Sequence, residues 1–198
     1  MRPPSQAARG QAYTLEAFIA ALLLVASLTF ALQVTAVTPL SASTANQHIE
    51  NQQRSSAVGL LAAADENSSL KEAVLYWDRT ENTFHGTTGM GYYTNGYSEN
   101  TFGKMVDRAY GDRGLAVNII VHVENQTSPQ RMVYHGEPSD NAASASRRVT
   151  LYDDDSIRAA DGTTDVQLST TDEFYAPDAH PGSDVYNVVR VEVIVWRM

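Results

Sequence analysis

Few side chains in this sequence are spaced for catalysis. The five histidines, His48, His85, His122, His135 and His180, show no H-E-x-x-H pair, the spacing that sets two imidazoles on one helix face around zinc. No G-x-S-x-G elbow presents a serine nucleophile. The glycine-rich stretch Gly86 to Gly96, GTTGMGYYTNG, has no phosphate-binding lysine and neither follows a strand nor opens a helix, so it reads as a flexible aromatic loop. Asp153, Asp154, Asp155, Asp161 and Asp165 offer hard oxygens for Ca2+. Their spacing is not that of an EF-hand, adjacent carboxylates point apart, and the run reads as a solvated acidic loop. The chain has no cysteine, which excludes disulfides and thiolate metal or redox sites. The expectation is a protein that is not an enzyme and needs no metal or cofactor.

The chemistry that remains legible is processing and modification. At the N-terminus, Arg9-Gly10-Gln11-Ala12-Tyr13-Thr14-Leu15-Glu16 places a basic residue, a small residue and one carboxylate directly before the apolar run AFIAALLLVASLTFALQVTAV. Two N-x-S/T sequons, Asn67-Ser68-Ser69 and Asn125-Gln126-Thr127, lie beyond that run in turn-like sequence and are candidate glycosylation sites.

The elements that position these residues follow from composition. No formal charge occurs between Glu16 and Glu50, and Ala17 to Val37 rises ~30 Å as a helix, the thickness of the hydrocarbon core. Arg2 and Arg9 precede the run and no Lys or Arg follows it until Arg54, which predicts a cytoplasmic N-terminus and an exterior C-terminal domain. Residues 1–10 read as a leader, 11–38 as the membrane helix, 39–64 as its helical extension and 65–198 as one outer domain. Pro39 predicts a kink or break, because it removes a backbone hydrogen bond and crowds the Thr35 carbonyl.

This N-terminus resembles that of archaeal type IV prepilins. The resemblance rests on residues 9 to about 38 and implies leader removal between Gly10 and Gln11 by a membrane-embedded prepilin peptidase. It also implies retention in membrane lipid and assembly with other pilin-like subunits. In that family an acid near the start of the mature helix is thought to meet a neighbour's freed amine. Glu16 would take that role here, although it is sixth counted from Gln11 and the family's acid is usually fifth. Ala17, Ala20, Ala21, Ala26, Ser27 and Ala31 would let helices approach closely, or would face lipid. Two other readings of the same segment are an uncleaved signal anchor and a secretory signal cut after Val34-Thr35-Ala36.

The net charge is −9, and losing Arg2 and Arg9 with the leader takes it to −11. Such a surface repels phosphate backbones, so nucleic acid is not an expected partner. Only Lys71 and Lys104 are lysines, and this acid-rich, lysine-poor composition resembles that of proteins from salt-loving microbes.

The outer domain reads as α+β with an antiparallel sheet. Ser69 and Glu72 form a capping box for a short helix through Leu75 to Trp77, and residues 81–100 read as a long loop or irregular hairpin. Phe102, Met105, Val106, Ala109 and Tyr110 share a helical face that ends before Gly114. Period-2 alternation predicts strands at Leu115 to Val123 and Val188 to Met198, the latter central. Shorter runs at Arg131 to His135 and Arg148 to Tyr152 read as further strands. Asp153 to Gly182 reads as extended loop with one edge strand near Val166 to Leu168.

Overall fold

The structure is a computed structural model that describes the backbone of residues 6–87 and 89–198 and the side chains of residues 10, 13–33, 47–87 and 89–198. The chain divides into two compact units, Met1–His48 and Ile49–Met198. Helix α1 (Gln6–Glu66) belongs to both. The break expected at Pro39 is absent, since the backbone is helical on both sides of it and through it. A proline inside a helix costs about 3 kcal/mol, which long helical flanks can absorb. Within the first ten residues, α1 already begins at Gln6.

The second unit is α+β. After α1 come α2 (Ser69–Val74), the two-stranded hairpin β1 (Trp77–Asp78) and β2 (Thr83–Phe84), and α3 (Thr101–Val106), which runs into a π-helical turn over Asp107–Gly111. Then follow β3 (Leu115–Val123), β4 (Gln130–Tyr134), β5 (Ala143–Tyr152), the small ribbon of β6 (Ser156–Arg158) and β7 (Thr164–Gln167), and β8 (Val185–Arg197). The main sheet has the order β4-β3-β8-β5, and all its pairings are antiparallel. The C-terminal strand is therefore central, as its valine alternation requires.

Register explains the core. Val117, Ile119, Val121 and Val123 stand opposite Val195, Val193, Val191 and Val189, and Ala145 and Val149 of β5 complete two of the same rows. All are buried together with Ala57, Leu61 and Ala64 of α1, which recur at i, i+4 and i+7 and so share one helix face. Arg147, also on this inner face, reaches Asp65 near the end of α1 at 2.6 Å.

Several local expectations are corrected. Ser69 does not cap α2: the N-cap is Ser68 at φ 63 without a side-chain bond, Asn67 Oδ1 accepts from the Ser69 amide, and the Ser69 hydroxyl donates to Ala64. Trp77 is not helical, because the chain reverses after Leu75 and pairs Trp77 with Phe84 across the hairpin. Strand β5 starts at Ala143, five residues before Arg148, since its inward positions are alanines too small to mark a buried face in the sequence.

The segment 153–182 is less solvated than it reads. Tyr175 packs with Trp77 and Phe84 and against Phe174, the Trp77 indole donates to the Glu173 carbonyl at 3.0 Å, and Tyr175 donates to the Val74 carbonyl at 3.0 Å. Burial pushes the Tyr175 phenol far above the usual tyrosine range, so it stays a donor. The acids here are mostly engaged. Asp155 pairs with Lys71 at 2.6 Å, Asp165 and Glu173 share Arg79, and Asp161 accepts from Thr163, which lowers its pKa. The glycine-tyrosine loop is likewise pinned. Tyr93 is buried, exchanges backbone hydrogen bonds with Met132 and Tyr134 beside β4, and donates its phenol proton to the His85 carbonyl.

Candidate functional site

The first unit contains one helix long and apolar enough to cross a membrane, Tyr13–Gln33 within α1. None of it is buried in the protein: Leu15, Phe18, Leu22, Leu24, Leu28 and Phe30 all stand exposed, Leu24 at 71%. An exposed apolar surface of that length is what a membrane-crossing helix presents. Its serine and threonine hydroxyls at Ser27 and Thr29 are already satisfied. Ser27 donates to the Leu24 carbonyl at 3.0 Å and Thr29 to the Val25 carbonyl at 2.8 Å, so neither brings an unpaired donor into an apolar medium.

Gly10 and Glu16 lie on this helix, before and at the start of the apolar stretch. The backbones of Arg9 and Gln11 are helical, and their side chains fall outside the described residues. A Cβ added at Gly10 would meet nothing within 4 Å, so no close packing in this fold demands a glycine there. The Gly10 carbonyl accepts from the Thr14 hydroxyl at 3.3 Å, which places the Gly10–Gln11 bond inside a helical turn. The Glu16 carboxylate is exposed and makes no hydrogen bond or ion pair with a described residue.

The two sequons differ in their surroundings. Asn67 lies in the turn between α1 and α2, with its carbonyl oxygen tied to the Ser69 amide and the Ser69 hydroxyl buried against Ala64. Asn125, Gln126 and Thr127 are all exposed in the turn after β3, and Asn125 adopts φ 65, a conformation asparagine tolerates well.

Of the described histidines only His122 and His180 line a common groove. His85 stands between Asp78 and the Arg158 carbonyl, His122 pairs with Glu192 at 2.8 Å, His135 contacts the Gly96 carbonyl, and His180 faces Glu124 at 3.3 Å. Among the described residues no three His, Asp or Glu are placed to hold a metal ion. What sheet register does bring together, and sequence reading missed, is the cross-strand row His122, Arg190 and Arg148; nothing short of the β3-β8-β5 alignment could have revealed it.

One helix long and apolar enough to cross a membrane in the first unit, and an α+β fold in the second, define the class of this protein. Family comparison is specific: the chain matches the model of a family of unknown function (DUF7288) over residues 9–195, and it belongs to that family. Comparison with curated proteins and with solved structures gives no match.

Proposed function

We propose that this protein is a non-enzymatic, pilin-like subunit of an archaeal cell surface. It is inserted by α1 with its N-terminus in the cytoplasm and the unit after His48 outside, and it assembles with like subunits after a prepilin peptidase removes residues 1–10. The observation that carries the reading is the wholly exposed apolar helix Tyr13–Gln33, with a lone carboxylate, Glu16, at its start. The acid-rich, lysine-poor composition supports a salt-loving source. One observation favours a second reading, an uncleaved single-pass envelope protein whose outer unit binds a partner: the Gly10–Gln11 bond is helical, not extended for a protease.

The intact mass of protein purified from membranes decides between them. Loss of residues 1–10, together with release of large assemblies on mild shearing, is the expected result. A chain beginning at Met1 or Val37 would overturn the processing step, and a monomer after shearing would remove assembly.

Glycan on the folded outer unit belongs on Asn125, where amide and hydroxyl are both reachable, and not on Asn67, whose sequon hydroxyl is enclosed. Asn125→Gln should abolish the glycan mass on the surface protein and Asn67→Gln should leave it unchanged. The opposite pattern would mean that attachment precedes folding of the α1–α2 turn.

A further inference from the structure

The outer face of the main sheet changes character along its length. At one end Asn118 and Trp196 are buried, with the Asn118 amide holding Gly136 and His135. At the other end the row His122, Arg190 and Arg148 crosses three adjacent strands in register and lines a groove of about 570 Å3 with Glu124, His180 and Val188. That volume is in the range of small-molecule sites.

Charge is unevenly balanced within the groove. Arg148 and Arg190 stand directly opposite each other on β5 and β8, an arrangement that costs stability in an antiparallel pair unless something neutralises it. Both carboxylates already serve imidazoles: Glu192 lies 2.8 Å from His122 and Glu124 lies 3.3 Å from His180. Arg190 reaches only the shared Glu192, at 3.4 Å. Arg148 makes no hydrogen bond or ion pair with a described residue, whereas its neighbour Arg147 is held by Asp65. Arg148 is therefore the groove's cation without a partner among the described residues, in a chain with 23 acids against 14 bases.

We propose that this groove is an oxyanion site in which Arg148 and Arg190 together hold one phosphate, sulfate or carboxylate group of a small soluble ligand. Guanidinium groups carry N–H forks that match the oxygen edge of such a group, and a bound anion would remove the repulsion between these two. The Val188 side chain lines the groove beside the charged row and offers apolar contact to the rest of the ligand. The site does not depend on the proposed assembly role.

The test uses the full chain in neutral detergent at fixed pH, titrated with sulfate or with succinate against chloride at constant ionic strength. Histidine ring signals are followed by NMR. Saturable shifts of His122 and His180, without shifts of His48 or His85, are expected for at least one of the two anions, and the tighter one reports the ligand's chemistry. Arg148→Gln and Arg190→Gln should each weaken binding by about tenfold or more, as loss of a charge-assisted hydrogen-bonding fork requires. Arg148→Lys keeps the charge without the fork and should fall between. Arg131→Gln, on β4 and away from the groove, is the control and should bind as the parent does. Shifts that never saturate, or that chloride reproduces, overturn the proposal. So do unchanged affinity in both glutamine variants and shifts that follow protein concentration, which would identify acids of a second copy as the occupant.

Discussion

Gly10→Phe should leave the protein inserted and folded but almost wholly unprocessed, with the first ten residues still attached in the mass of the purified chain. The structure separates recognition from folding at this position. A side chain at residue 10 points into open space, and glycine is a poorer helix former than phenylalanine by a few tenths of a kcal/mol, so the substitution stabilises α1 slightly if it does anything. Any block must then arise in the peptidase, where a bulky ring meets the pocket for a small residue. Helical geometry at the Gly10–Gln11 bond does not prevent cleavage, because the bond lies five residues from the start of α1 and helix ends fray open at little free-energy cost. Gly10→Ala should accordingly be processed close to normally. A Gly10→Phe protein that begins at Gln11 in wild-type yield would remove the proposed cleavage site.

Glu16→Gln should be inserted and processed normally yet vanish from sheared surface material. A lone carboxylate costs up to about 2.5–3.5 kcal/mol at mid-bilayer and less at the edge, so an anchor that merely tolerates Glu16 would gain slightly from the amide. A filament behaves in the opposite sense. Enclosed among packed helices, the carboxylate would answer the freed amine of Gln11 on a neighbour, and removing one partner of a buried pair costs about 3–5 kcal/mol at every subunit contact. Repeated along a polymer, that loss is prohibitive. Glu16 is free to take the role, being exposed and without an ion pair among described residues. Its place one residue later than the usual acid turns it by about 100° around the helix, so the neighbour must approach from a different side. Wild-type assemblies from Glu16→Gln would remove Glu16 from the interface.

The parts of this fold that were legible in sequence are those where one physical signal dominates. Leu115–Val123 and the C-terminal strand alternate cleanly because one face meets α1 and the other meets solvent or the 135–136 turn, and the helix at 101–111 shows its apolar face for the same reason. The early half of β5 was hidden, since Ala143 and Ala145 bury little surface and look like turn residues. Trp77 misled in another way. Its helical neighbours suggested a helix, but a tertiary partner far along the chain from the hairpin, the Tyr175 ring 4.9 Å away, decides its conformation. Of the candidate site, Glu16 lies on α1 and so does Gly10, which the local pattern puts in the segment before the helix. The arginine row depends on alignment of three strands distant in sequence, and no local pattern encodes that.

The way the segment 153–182 is fastened has a consequence for osmotic tolerance. Its ties are of two kinds with opposite responses to salt: ion pairs such as Lys71–Asp155 and Arg79–Asp165, and the aromatic packing of Trp77, Phe84, Phe174 and Tyr175. Raising the electrolyte shortens the Debye length to about 3 Å at molar concentration and loosens exposed pairs, while salting-out ions make apolar surface still less soluble. As the medium concentrates, attachment passes from charge to aromatic cohesion without a gap, and as it dilutes the exchange reverses. The segment is buffered against changes in salinity by having two fasteners that never weaken together.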